Sequence, residues 1–147
     1  MRGSARGKVL VVDDNIAAAQ GLEVLLRDEG WDVSTAYDGL AAVATAIEVV
    51  PDVVLLDLAL PHLDGYEVAR RLRANTQLAH TRLIAVTASD DRERTRACGF
   101  VQHLVKPVMI DAVVAALGSV VRDARSAAMD RCRSTAGSRH RARSITR

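Results

Sequence analysis

Val53-Val54-Leu55-Leu56-Asp57 is an aliphatic run that stops on a carboxylate, and the chain repeats the device three times more. Val9-Leu10-Val11-Val12 stops at Asp13-Asp14, Leu83-Ile84-Ala85-Val86 at Thr87, and Leu104-Val105 at Lys106. Short runs of near-continuous Val, Leu and Ile suit strands of a parallel sheet covered on both faces. In an open α/β sheet the carboxyl ends of the strands share one edge, and ligands bind there. Three carboxylates, a hydroxyl and an ammonium are therefore expected in one pocket.

Working outward, strands are predicted at 8–12, 32–36, 53–56, 83–87 and 101–105. Helical stripes lie between them: Ile16, Ala19, Leu22, Leu25 and Leu26; Leu40, Val43, Ala44 and Ile47; Tyr66, Val68, Ala69 and Leu72. Five βα units with right-handed crossovers give an α/β fold, a doubly wound parallel sheet with helices on each side. Gly30 ends the first helix, Asp38-Gly39 opens the second, Pro51 blocks its continuation, Asp64-Gly65 starts the third and Gly99 closes the fourth. The domain is expected to span residues 8–122. Residues 1–7 and 123–147 are read as flexible termini, the latter an Arg/Ser-rich basic tail.

At 147 residues one domain with a sizeable core is expected, without room for a second effector domain. No apolar run approaches the roughly 20 residues that span a bilayer. The basic N-terminus leads straight into a short strand rather than the apolar core of a secretory signal, so a cytoplasmic location is expected. Cys98 and Cys132 lack metal-ligand spacing and are read as free thiols. One Trp, two Tyr and one Phe are too few for a stacking platform for single-stranded nucleic acid. The net charge of +2 is uneven: residues 1–124 carry 13 basic and 17 acidic side chains, whereas residues 125–147 carry seven Arg against Asp130 alone.

Asp13, Asp14 and Asp57 form an oxygen-rich cluster that repels itself unless a cation sits among them. Mg²⁺, a hard ion that takes carboxylates and keeps several waters, suits it. A plainer role is open to Asp13 and Asp14, as caps of the helix beginning near Ile16. Asp57, at a strand end, can act as a nucleophile on phosphorus. Lys106 and Thr87 offer a point charge and a hydroxyl to phosphoryl oxygens. Pro107 makes the Lys106-Pro107 bond a candidate for the cis form, a structural device holding a tight turn. Asp52, before its strand, is placed at the opposite edge.

These residues together resemble the receiver domain of two-component response regulators: Asp13-Asp14 after the first strand, Asp57 in Val-Val-Leu-Leu-Asp-Leu-Ala-Leu-Pro-His-Leu-Asp-Gly, Thr87 in Ala-Val-Thr-Ala, and Lys106-Pro107, over roughly residues 8–121. The resemblance implies a flavodoxin-like (βα)5 fold with strand order 2-1-3-4-5. It implies that Asp57 accepts a phosphoryl group from a phosphohistidine on a sensor histidine kinase or histidine phosphotransfer protein. Mg²⁺ would be held by Asp14, Asp57 and the Ala59 backbone carbonyl, and by Asp13 through water. Thr87 would turn inward to the phosphoryl group and Lys106 would pair with it, switching affinity for a downstream target protein through about residues 90–121.

The departure from the family pattern is His103, where many members carry Tyr or Phe whose rotation accompanies the Thr; a switching role and a passive strand position are both open to it. In the family that this chain resembles, the residues two after the phosphoacceptor and two after the Thr influence attack by water; here they are Ala59 and Ser89, both small, which predicts a modest intrinsic dephosphorylation rate. The signalling reading makes the chain a phosphoacceptor rather than an enzyme. A phosphatase of the haloacid dehalogenase type would need an acid where Ala59 stands. No Gly-rich phosphate loop follows the first strand, and sequence-specific DNA binding is not expected, because a short polybasic tail gives non-specific attraction. A receiver detached from a hybrid kinase, relaying phosphate onward, would read similarly.

Overall fold

The computed structural model describes residues 6–122. Along these the elements are β1 (Lys8–Val12), α1 (Ile16–Asp28), β2 (Asp32–Ala36), α2 (Gly39–Val49), β3 (Val53–Asp57), α3 (Gly65–Ala74), a 3-10 turn (Thr76–Leu78), β4 (Arg82–Thr87), α4 (Arg92–Ala97), β5 (Phe100–Val105) and α5 (residues 110–122). The basic tail and Cys132 lie outside the described residues. The five strands are all parallel and run β2-β1-β3-β4-β5 across the sheet, as expected. β3 extends one residue further than predicted, so Asp57 belongs to the strand itself.

Alternation along the strands sends side chains to two cores. Leu10, Val12, Val54, Leu56 and Leu83 pack with Ala42 and Ala46 of α2 and with Val68, Ala69 and Leu72 of α3. Val9, Val11, Val53, Leu55 and Ile84 pack with Ala19 and Leu26 of α1 and with Val113, Leu117 and Val120 of α5. Both faces being covered is why β1 and β3 are uniformly aliphatic. Two helix faces were misread from periodicity. Ile16 and Leu25 of α1 and Leu40 and Ile47 of α2 are exposed, whereas alanines meet the sheet. Small side chains let the helices lie close, leaving larger aliphatics at the margins.

Register aligns the strand ends. Val12 pairs with Leu56, Asp57 with Val86, and Thr87 with Val105. Backbone hydrogen bonds continue just past the strands: the Asp13 N–H donates to the Ala36 carbonyl at 3.2 Å, Leu58 to Val86 at 3.1 Å and Lys106 to Thr87 at 2.8 Å. Asp52 closes the other edge, as expected, its carboxylate accepting from the Lys8 N–H at 2.8 Å.

Behind Asp57, α3 begins at Gly65, where the chain approaches itself very closely. A Cβ there would lie 2.6 Å from Leu58 Cα and 2.7 Å from the Asp57 carbonyl oxygen, both backbone atoms that cannot swing aside. Gly21, inside α1, has nothing within 4 Å of its Cβ position. Gly65→Ala is therefore expected to destabilise the fold by about 2–3 kcal/mol, and Gly21→Ala to stabilise it by about 0.5–1 kcal/mol, both read by denaturant unfolding. Equal effects of the two changes would contradict the close approach at Gly65.

Candidate functional site

β1 and β3 lie side by side, so Asp13-Asp14 and Asp57 meet at the sheet edge. One carboxylate oxygen from each falls within 4.8 Å of the others. Asp57 is buried, 2% exposed, while Asp13 is half-buried and Asp14 exposed. Both Asp57 oxygens are engaged: Oδ2 accepts from Lys106 Nζ at 3.0 Å, and Oδ1 from the Ala59 N–H at 3.0 Å. One ammonium thus faces three carboxylates. Burial pushes the Asp13 carboxyl above the ordinary range; the Asn15 N–H opposes this, and Asp57 adds to it.

The structure corrects the capping alternative. Asn15 caps α1, its side chain accepting from the Ala18 N–H at 3.1 Å, while Asp13 accepts from the Asn15 N–H at 2.9 Å. Neither Asp13 nor Asp14 is spent on the helix, and both remain free to face Asp57. Thr87 ends β4 and is buried; its Oγ1 accepts from the Ser89 N–H at 3.1 Å. The Lys106-Pro107 peptide bond is cis. A groove of about 1060 Å³ runs from the carboxylates between α1 and the segment after β5, lined by Asp13, Asp14, Leu22, Leu25, Lys106 and Met109 among others.

A family model described as the response regulator receiver domain matches residues 9–118. The chain belongs to the response regulator receiver family. It is 37% identical over 127 residues to the transcriptional regulatory protein TrcR of Mycobacterium tuberculosis, covering 84% of this chain and 48% of that one. The chain thus spans about half the length of such a relative. The fold superposes on the chemotaxis protein CheY4 of Vibrio cholerae with TM-score 0.74 and 32% identity, covering 80% of this chain and 99% of that one. It also superposes on the receiver domain of the Pseudomonas aeruginosa sensor histidine kinase PA1611, described with a magnesium ion coordinated in its active-site cleft. There the TM-score is 0.72 and the identity 32%, over 80% of this chain and 98% of that one.

In this receiver the hard-oxygen donor set fits a divalent cation of the Mg²⁺ type. Two features went unread in the sequence. Asn15 is one, though an Asn directly before a helical stripe is a capping signal. The other surrounds His103, which is buried, 9% exposed. Its Nδ1 lies 2.9 Å from Thr95 Oγ1 and its Nε2 2.9 Å from the Ser89 carbonyl oxygen. No helix among the described residues is long and apolar enough to cross a membrane.

Because the folded Asp13 resists ionisation, its charge costs stability in full above its folded pKa, and the cost shrinks as pH falls below that value and is gone below the ordinary carboxylate pKa. In metal-free buffer at neutral pH, Asp13→Asn is expected to stabilise the fold by about 1 kcal/mol or less, solvent screening limiting the gain. Added Mg²⁺ should raise the melting temperature of the unaltered chain and raise that of Asp13→Asn much less. Identical responses of the two to Mg²⁺ would contradict a metal site at Asp13.

Proposed function

We propose that this receiver takes a phosphoryl group on Asp57 from a phosphohistidine of a sensor histidine kinase or histidine phosphotransfer protein, and thereby changes its affinity for a downstream protein. The observation that carries the reading is the position of Asp57. It is a buried strand-end carboxylate, hydrogen-bonded to Lys106 and within 4.8 Å of two further acidic oxygens. An Asp57 oxygen attacks phosphorus, the N–P bond breaks, imidazole leaves, and an acyl phosphate forms. Asp13, Asp14, Asp57 and the Ala59 carbonyl would hold Mg²⁺, which when bound would offset the repulsion between carboxylate and phosphoryl oxygens.

The chain's own residues do the rest. Lys106 stands next to the acceptor and pairs with a phosphoryl oxygen. Thr87 Oγ1 accepts from Ser89 and so keeps its own proton to donate to another. A phosphoryl group adds roughly −1.5 to −2 charge, enough to reorder the loop behind Thr87. Residues 90–121, which continue from that loop through α4, β5 and α5, form the proposed output face. Pro107 shapes the turn that presents Lys106. The groove beside α1 opens at Asp13, Asp14 and Lys106, the residues that flank Asp57.

A relay onward to a histidine phosphotransfer protein is the second reading. It is favoured by the likeness to the receiver of a sensor histidine kinase. A cytoplasmic location agrees with both readings, and sequence-specific DNA binding belongs to neither.

Incubation with acetyl phosphate and Mg²⁺ should add the mass of one phosphoryl group, and Asp57→Ala or omission of Mg²⁺ should abolish the gain. A gain that survives Asp57→Ala would place the acceptor elsewhere. No gain from acetyl phosphate or from a phosphorylated kinase would end the reading. Once formed, the acyl phosphate should decay severalfold faster in Ala59→Asn, because a carboxamide there can orient water. An unchanged half-life would remove Ala59 from the control of lifetime.

A further inference from the structure

We propose that the chain's own Arg-rich segment, residues 125–147, seats in the acidic groove that α1 and α5 form beside Asp57. The inference goes beyond the phosphoryl chemistry and depends on none of it.

The groove is one continuous hollow. Its first part, described above, opens at Asp13, Asp14 and Lys106. A second hollow of about 300 Å³ follows between α1 and α5, and Leu25 and Ile110 line both. The floor is apolar, built from Leu22, Leu25, Met109, Ile110 and Val114. Leu25 and Met109 are 47% and 70% exposed. Gly21 leaves open space where a side chain would otherwise stand on α1.

The rim is acidic. Asp13 and Asp14 stand at one end, and Asp28, Glu29 and Asp111 at the other. Among the described residues Lys106 is the single basic side chain in the lining, and its ammonium is already paired with Asp57 at 3.0 Å. Asp28, Glu29 and Asp111 are exposed and, among the described residues, form no ion pair. Like charges gathered along one trough repel one another until a cation lies among them. Arginine fits such a surface, because its methylenes pack on an apolar floor while the guanidinium reaches carboxylates at the rim.

The sequence supplies that cation. Residues 125–147 hold seven Arg against Asp130 alone, with Ala, Ser, Met129 and Ile145 between them. The other helical layer is no competitor for the segment, since α3 and α4 carry six Arg against Glu67 and Glu93. Reach is no obstacle either. Residues 110–122 of α5 span about 20 Å at 1.5 Å per residue, and about six extended residues cover that distance at about 3.3 Å each. A tether raises the local concentration of the segment to about the millimolar range, so ion pairs that are individually weak at a surface suffice together. While seated, the segment shuts other occupants out of the groove that opens beside Asp57.

Paramagnetic relaxation reads the seat directly. A nitroxide is attached at Ser144→Cys in the full chain carrying Cys98→Ser and Cys132→Ser, and amide relaxation is compared with that of the reduced label at low salt. Amides of Asp14, Leu25, Ile110 and Asp111 should relax severalfold faster, and those of Arg71 and Arg94 should not change. In about 1 M NaCl, where the screening length is about 3 Å, the effect should vanish. Asp28→Asn, Glu29→Gln and Asp111→Asn together should weaken it severalfold at low salt. A label-free reading keeps both native cysteines: replacing the seven Arg of residues 125–147 by Gln should move amide shifts along the groove and leave those of α3 and α4 in place.

No relaxation effect, an effect centred on α3 and α4, or one undiminished by the three rim substitutions would each overturn the proposal. So would shifts that stay unchanged along the groove when the seven Arg are replaced. Mixing labelled chains with unlabelled, isotope-enriched ones separates the remaining case. An effect of full size in that mixture would put a second copy's segment in the groove and overturn the assignment to the chain's own.

Discussion

Three carboxylates gathered around one ammonium are the constraint on which the rest of this structure turns. Burying an ion costs several kcal/mol unless opposite charge and hydrogen bonds compensate it. Asp57 has both, from Lys106 and from the Ala59 N–H. Asp13 has less compensation, and its raised pKa reports the deficit. The arrangement stands because two stacked cores hold β1, β3 and β5 in a fixed register, so that Asp13, Asp57 and Lys106 are delivered to one edge whether or not their charges suit one another. A site left with this excess of negative charge is one that a divalent cation can complete.

The same register explains how chemistry at Asp57 can be felt elsewhere. Thr87 is one strand away from Asp57, its carbonyl accepts from the Lys106 N–H, and its hydroxyl accepts from Ser89. Through Ser89 the loop is tied to His103 on β5, and through His103 to α4. The side-chain links are buried or part-buried hydrogen bonds that pass through the exposed Ser89, and such bonds are costly to leave unmade. A change in charge at Asp57 therefore meets a short, connected set of groups leading away from it.

The strands and the acidic edge were legible in the sequence because they are local. Val9 to Val12 and Val53 to Leu56 are too uniformly apolar for anything but a doubly covered strand, and the residue that follows each run is polar. The helix faces were less legible. Periodicity places Leu40 and Ile47 on a helical stripe, yet they are 64% and 42% exposed, and Ala42 and Ala46 take the sheet. Hydrophobicity alone cannot weigh a large side chain at the margin against a small one that allows close approach. His103 was noticed for its chemistry, but its partners were not. Thr95 and Ser89 lie 8 and 14 residues away, and only the packing of α4 against β5 brings them together.

The most direct test of a site centred on Asp57 is a crystal structure grown with Mg²⁺ and beryllofluoride, a mimic of the phosphoryl group. The geometry described here predicts the beryllium on an Asp57 oxygen, Lys106 and the Thr87 hydroxyl on its fluorines, and the metal among Asp13, Asp14, Asp57 and the Ala59 carbonyl. Beryllium bound to another side chain, or a metal lodged away from these carboxylates, would contradict it.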